Sequence, residues 1–291
     1  MSLSSFFSDG RKRHGLSFEL FPPKSADGVE ALMRTVDELR AFDPDFFTCT
    51  YGAGGSTQDR TLEVAARVKS QFGLPVASHL TCVGSTVDQL REFLSQAKKR
   101  GVDFIVALRG DPPKGETQFR AVDGGLRYAS ELVRLIRAEF QDFGIAVAGY
   151  PEVHQEAVSP ESDLEFLKRK VDTGADIVIT QLFYNNTDFY RFVDRCRKAG
   201  IAVPIVPGIL PVTNLSQIQR IASMCKALLP EAMTQRLARS EDPQWQFQAG
   251  VEYAQTQVRE LLENGVPGIH FYVLNKSQAT NEVLKGVGYR S

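Results

Sequence analysis

Phe104-Ile105-Val106-Ala107-Leu108-Arg109-Gly110-Asp111-Pro112-Pro113 is the stretch whose reading decides the fold. Five apolar residues, with a β-branched Ile-Val pair, run into Arg-Gly-Asp and then two prolines. A run this short, bounded by breakers, reads as a buried strand. Proline cannot continue a sheet, so the strand stops there. A cation and a carboxylate therefore stand at one strand end, and the glycine between them lets a ligand approach the backbone. The tripeptide alone is a common solvated turn; its weight comes from the other strands, which end in the same way.

Working outward, candidate strands begin near Leu16, Asp45, Val76, Phe104, Ile145, Ile177, Pro204 and Gly268. Most starts are about 30 residues apart, the length of one βαβ unit. Amphipathic segments of helical length lie between them: Val29–Phe42, Thr61–Phe72, Val87–Arg100, Leu126–Phe140, Leu164–Thr173 and Phe189–Ala199. Thr86 with Gln89, and Ser162 with Glu165, have the spacing of capping boxes. Gly73, Gly101, Gly144, Gly174, Gly200 and Gly265 each follow a helical segment and precede an apolar residue, the pattern of a left-handed helix end. One joint repeated at this spacing predicts an α/β fold, a (β/α)₈ TIM barrel. The interval from Pro204 to Gly268 is too long for one helix and predicts an insertion before the last strand, with helices around Pro230–Arg239 and Gln244–Asn264. The competing doubly wound sheet announces a dinucleotide with Gly-x-Gly-x-x-Gly. Gly52-Ala53-Gly54-Gly55-Ser56-Thr57 fails at the third glycine.

The 291 residues, 43% of them hydrophobic, supply one such barrel, and no linker or composition shift divides residues 1–291. A net charge of −1 gives no electrostatic footprint for nucleic acid. No apolar run approaches the ~20 residues of a membrane span. Met1 to His14 lacks the apolar core of a signal peptide. Cys49, Cys82, Cys196 and Cys225 are scattered, which reads as reduced thiols in a cytoplasmic protein.

Chemistry in a barrel of this kind sits at the C-terminal strand ends. Those ends carry Glu19, then Thr50 and Tyr51, His79 and Thr81, Arg109 and Asp111, Tyr150 with Glu152 and His154, Gln181, and Tyr272 with Asn275. Strand seven ends in Pro207-Gly208 and offers only backbone. Each residue has a plain alternative. Glu19, flanked by Phe18 and Leu20-Phe21, is either ion-paired to a rim arginine or a general acid whose pKa burial raises. His79 is a core histidine or a ligand contact. Tyr51, Tyr128 and Tyr150 belong to the core or stack on a flat cofactor. Arg169 and Lys170 form a solvated face or meet a phosphate or ribose. Cys49 reads as core, with no adjoining histidine to make it a nucleophile. His79, Glu152 and His154 lack the tight spacing of a metal site, so none is expected.

Taken together these residues resemble the methylenetetrahydrofolate reductase family. The resemblance is carried by Ser17-Phe18-Glu19-Leu20-Phe21-Pro22-Pro23, Thr50-Tyr51-Gly52-Ala53, His79-Leu80-Thr81-Cys82 and Ala107-Leu108-Arg109-Gly110-Asp111. It continues through Tyr150-Pro151-Glu152-Val153-His154, Leu167-Lys168-Arg169-Lys170, Ile179-Thr180-Gln181 and Pro207-Gly208-Ile209-Leu210-Pro211. The match runs in order from Leu16 to Asn275 and is similar to the short bacterial form, without the C-terminal regulatory domain of eukaryotic relatives.

The resemblance implies a cytoplasmic, homo-oligomeric flavoprotein acting on small molecules, with no nucleic acid or membrane partner. It would reduce 5,10-methylenetetrahydrofolate to 5-methyltetrahydrofolate, which feeds methionine synthesis. NADH or NADPH, with NADH favoured, and the folate would take turns at non-covalently bound FAD. The matching positions imply FAD contacts from Thr50, Tyr51, Ala53, His79, Arg109, Gly110, Asp111, Tyr128, Ala129, Tyr150, His154, Ala157, Asp163, Arg169 and Lys170. Glu19 matches the proton donor, and Asp111 the carboxylate near flavin and pterin. Gln181 matches a residue shared by nicotinamide and pterin, and Thr50, Leu215 and Lys276 complete the substrate contacts. Leu20, Phe166, Leu215 and Lys276 depart from the family pattern. Physical chemistry agrees with these roles: the folate methylene bridge must open to an iminium, the departing nitrogen needs an acid, and Glu19 is the rim acid embedded in an apolar strand. Asp111, beside Arg109, reads as ionised. A proline-dehydrogenase-type flavin barrel and a non-catalytic folate or flavin binder are the alternatives; the binder would not need Glu19.

Overall fold

The computed structural model describes residues 2–8, 11, 13–51, 58–112, 115, 116 and 118–289. Parallel strands β1 Gly15–Leu20, β2 Phe46–Cys49, β3 Val76–Thr81, β4 Phe104–Leu108, β5 Gly144–Gly149 and β6 Ile177–Thr180 are followed by β7 Ile205–Val206, β8 Gly208–Ile209 and β9 Gly268–Tyr272. Their order is β7-β6-β5-β4-β3-β2-β1-β9-β8. β7 and β8 are two halves of the expected seventh strand, interrupted by Pro207. The first half pairs with β6 through Val178 and Ile205, the second with β9 through Gly208 and His270, and the ring closes between them.

Helices α1 Ala26–Leu39, α2 Gln58–Phe72, α3 Val87–Lys99, α4 Ala129–Glu139, α5 Pro160–Asp172 and α6 Asn186–Lys198 follow the first six strands in turn. The insertion holds α7 Leu215–Cys225, α8 Glu231–Leu237 and α9 Pro243–Glu263, and α10 Gln278–Gly286 follows β9. The sequence patterns anticipate α8 and α9 but leave α7 and α10 unmarked. The Thr86–Gln89 capping box is present. The one expected at Ser162 is not: α5 starts earlier, with Ser159 as N-cap accepting from the Ser162 amide. Five of the six joint glycines have positive φ, while Gly144 instead opens β5, where a Cβ would come within 2.7 Å of Phe104 and 2.8 Å of Leu3.

Period-two alternation sorts the strand residues. Leu16, Phe18, Phe47, Cys49, Leu80, Ile105, Val147 and Phe271 pack outward beneath the helices. Inside, Phe46, Phe104, Val106, Ile177 and Val206 form an apolar floor closed from below by Leu3, Phe6 and Phe7. Phe6 stacks on Phe46 at 6.0 Å and meets Phe104 edge-on at 5.9 Å. Higher in the barrel, inward positions become polar: Ser17, Glu19, Thr48, His79, Thr81 and His270 are all buried. The alternation that builds an apolar floor thus leaves a polar mouth.

Candidate active site

Glu19 sits in that mouth, in register with Thr48 of β2 and Tyr272 of β9. It is 7% exposed. Its Oε2 lies 3.4 Å from Nε2 of His79 and 4.0 Å from Nε2 of His270. Among the described residues the groups within 4.0 Å that could pair with its carboxyl are thus imidazoles, not the rim arginine that the sequence left open. Burial holds His79 below the usual histidine range, against the opposing pull of Glu19. Nδ1 of His270 shares a hydrogen bond with Oγ of Ser17 at 2.8 Å, so Ser17, His270 and Glu19 form one polar column. Tyr272 donates its hydroxyl to the Thr180 carbonyl at 2.6 Å, and burial, with Glu19 and Tyr150 nearby, pushes its phenol far up. Sequence reasoning missed Ser17 and His270. The signal was available: each lies two residues before a rim residue, Glu19 or Tyr272, and so on the same strand face.

Beside the mouth, a cleft of about 270 Å³ is lined by Arg109, Tyr128, Ala129, Tyr150, His154, Ala157, Asp163 and Lys170, with Phe166 and Glu156. Arg109 follows β4, Tyr150 follows β5, and Asp163, Phe166 and Lys170 come from α5. The loop between β5 and α5 is pinned by its own backbone. Asp163 accepts from the His154 amide at 3.1 Å, and Nδ1 of His154 accepts from the Glu156 amide at 3.1 Å. The His154 proton therefore sits on Nε2; burial, and secondly Arg109, keep this ring below the ordinary histidine range. Tyr150 packs edge-on against it at 4.6 Å. Nζ of Lys170 donates to the Ala148 carbonyl at 2.6 Å, and burial lowers its pKa to about 8 against the pull of Asp163. Burial raises Asp163, opposed by the His154 amide.

The two exposed rings at the cleft edge, Tyr128 and Phe166, stack at 5.3 Å. Arg169 lies over the Phe166 ring at 5.2 Å and bonds Glu165, on the helix surface outside the cleft lining. Gly110 has φ of +89°, and a Cβ there would come within 2.8 Å of Val83, so the turn requires glycine. Next to it, Oγ1 of Thr81 is buried with no hydrogen-bond partner. Arg109 bonds Glu156 rather than its sequence neighbour Asp111, which is exposed. The charge of Asp111 still reaches Tyr150, second to burial among the causes raising its phenol.

The remaining expected residues are dispersed. The Thr50 carbonyl accepts from Oγ1 of Thr61 at 2.9 Å, and Tyr51 packs edge-on to Phe93. Both lead into 52–57, and Ala53 lies outside the described residues. Gln181, at the end of β6, accepts from the Leu182 amide at 2.9 Å. Lys276 lines a second cleft of about 470 Å³ with Arg34, Gln217, Phe247 and Tyr272. Leu215 is absent from that lining; it packs in the cluster around Leu210, Val212 and Ile218. Asn275 is engaged with the Phe21 backbone through both amide atoms at 2.8 Å. Glu152 faces away, accepting from the Leu228 amide at 2.9 Å in a groove with Arg191 and Arg195.

The arrangement sets a buried carboxyl facing two imidazoles at the barrel mouth, with a cleft lined by Arg109, Glu156, Asp163 and Lys170 to one side. It offers positive charge for an anionic group at Arg109 and Lys170, and at Glu19 a carboxyl able to carry a proton.

A family model described as methylenetetrahydrofolate reductase matches residues 7–288. A 5,10-methylenetetrahydrofolate reductase of Escherichia coli (strain K12) is 39% identical over 290 residues, covering 99% of this chain and 96% of the relative. Methylenetetrahydrofolate reductase (NADH) 1 of Arabidopsis thaliana is 40% identical over 283 residues, covering 94% of this chain and 48% of the relative. The chain thus spans about half the length of its plant relatives. Among solved structures, an uncharacterized Clostridium thermocellum protein that binds two copies of 5-methyl-5,6,7,8-tetrahydrofolic acid superposes with a TM-score of 0.65 at 15% identity, covering 95% of this chain and 94% of that one. At that identity the likeness speaks for the fold alone.

Proposed function

Because the chain belongs to the methylenetetrahydrofolate reductase family, we propose that it uses FAD to reduce 5,10-methylenetetrahydrofolate to 5-methyltetrahydrofolate at the expense of NADH or NADPH. The plant relatives' names favour NADH. The product would serve methyl transfer in methionine synthesis. The observation that carries the reading is the placement of a buried Glu19 beside a cleft lined by eight of the residues expected to hold the cofactor.

The described residues fit FAD. Arg109 and Lys170 supply positive charge for a diphosphate. Ala129 and Ala157 leave room, Gly110 lets the backbone come close, and Thr81 has an unused buried hydroxyl. When bound, FAD would supply the hydride relay between nicotinamide and folate, which occupy the same place in turn. The protein supplies the proton. Opening the methylene bridge leaves charge on a ring nitrogen, and Glu19 delivers the proton there. The imidazoles of His79 and His270 face its carboxyl at 3.4 and 4.0 Å. The Asp111 carboxylate favours the cationic iminium left behind. Gln181, whose amide oxygen is taken by the Leu182 amide, would offer its amide nitrogen to whichever substrate is bound.

The visible spectrum of the purified protein tests this directly. It should show a flavin released by denaturation as FAD, bleached by NADH without oxygen and restored by methylenetetrahydrofolate. A protein that takes up no flavin, or one that bleaches but is not restored by the folate, overturns the reading.

A further inference from the structure

Arg109 is fully engaged within the chain. Its Nε donates to the Gly110 carbonyl at 3.3 Å, and its two terminal nitrogens grip the carboxylate of Glu156 at 2.8 and 2.7 Å. Its flat face covers the Phe119 ring at 5.0 Å. A guanidinium fork accepts a carboxylate or a phosphate in the same two-pronged geometry, so the two anions compete for one face. The cleft's fixed charges are otherwise balanced: Arg109 and Lys170 against Glu156 and Asp163. A diphosphate carries at least two negative charges into that balance, and the carboxylate in its way is the one already on Arg109.

We propose that Glu156 is a resident counter-ion on Arg109, displaced by the diphosphate of an incoming dinucleotide, so that this carboxylate sets how tightly the cleft takes a phosphate-bearing ligand. The device is local. The loop under Glu156 is tied by the bond from the Ala157 amide to the His154 carbonyl at 2.9 Å and by the bond from the Glu156 amide to His154. Release therefore needs a side-chain rotation and no loop movement. The Glu156 side chain is 34% exposed and can turn into water, leaving the cleft net positive for the ligand. Until then the pair keeps Arg109 aimed. The identification of the ligand as FAD rests on the reading above; the competition at Arg109 does not.

The test titrates the full chain, freed of flavin, with pyrophosphate, FAD, NAD⁺ and riboflavin, comparing wild type with Glu156→Gln and Glu156→Ala. Both variants should bind pyrophosphate and FAD about two- to fivefold more tightly, the range expected when a partly exposed ion pair no longer has to be broken. Riboflavin, which has no phosphate, should bind all three proteins equally. Pyrophosphate affinity unchanged or weakened in both variants overturns the inference, as does an equal gain for riboflavin. If pyrophosphate shows the gain while FAD binds none of the proteins, the flavin reading falls and the counter-ion stands. NAD⁺ showing the gain in place of FAD reassigns the dinucleotide.

Discussion

Glu19→Gln keeps the shape of the side chain and the contact with His79 but cannot deliver a proton. NADH oxidation by the flavin needs no acid at a leaving nitrogen, so that half should keep nearly its normal rate. Folate reduction should slow by about 10²–10⁴-fold, the usual contribution of a general acid. Rapid-mixing absorbance follows each half alone, and loss of both together would point to damage of the whole site. Lys170 makes a second prediction. Its pKa of about 8 in the folded chain lies below the ~10.4 of an unfolded lysine. The unfolded chain therefore binds the proton more strongly, and stability should rise with pH between those values. Lys170→Met removes the buried charge, and water reaches the Ala148 carbonyl through the open cleft. The flavin-free variant should melt a few degrees above wild type at pH 7, at about 2–4 °C per kcal/mol for a chain of this size. The gap should close towards pH 10 in calorimetry, while FAD binds more weakly. The sequence marks Arg109, Tyr150 and Lys170, which the fold brings to one cleft, since each stands at a strand end or inside a recognisable motif. It marks Ser17 only by its place two residues before Glu19, and it hides Glu156, whose meaning is a contact with Arg109 that only the fold creates.

Elements repeat the lesson with different causes. The strands up to β6 and β9 are legible because buried parallel strands are continuous apolar runs. Ser162 misled because Pro160 is a good first helical residue, which moves the cap back to Ser159. α7 and α10 have no strand on their C-terminal side to mark their ends. The broken seventh strand is the element on which the mouth depends. Pro207 interrupts the ladder, and the amide of Gly208 is satisfied by Oγ1 of Thr180 at 3.0 Å. A Cβ on Gly208 would stand 2.3 Å from the Thr180 carbonyl and 2.7 Å from the Tyr272 ring. Gly208→Ala should therefore force β6 and β9 apart at the mouth and cost about 1–3 kcal/mol or more, the range for overpacked interiors. A lower urea midpoint with unchanged m-value would show it, and an unchanged midpoint would mean the break is slack.

At the scale of the whole molecule, the barrel is sealed at one end and open at the other. Leu3, Phe6 and Phe7 are 1%, 7% and 2% exposed, filling the floor among Phe46 and Phe104. Burying each such side chain is worth about 1.5–3 kcal/mol, against a typical total of about 5–15 kcal/mol. Deleting residues 2–8 should leave a marginal protein that unfolds at much lower urea, with flavin lost along the same transition. Gly15 and Gly268 are shaped to this seal, since a Cβ on either would run into the Phe7 ring. The hydroxyl of Tyr289 reaches the carbonyl of His14, which ties the last described turn to the entrance of β1. Floor and mouth are joined by β9, a strand about 16 Å long. It is rooted at Gly268 beside the seal and ends at Tyr272 in register with Glu19, so a shift of the keel would be felt at the rudder.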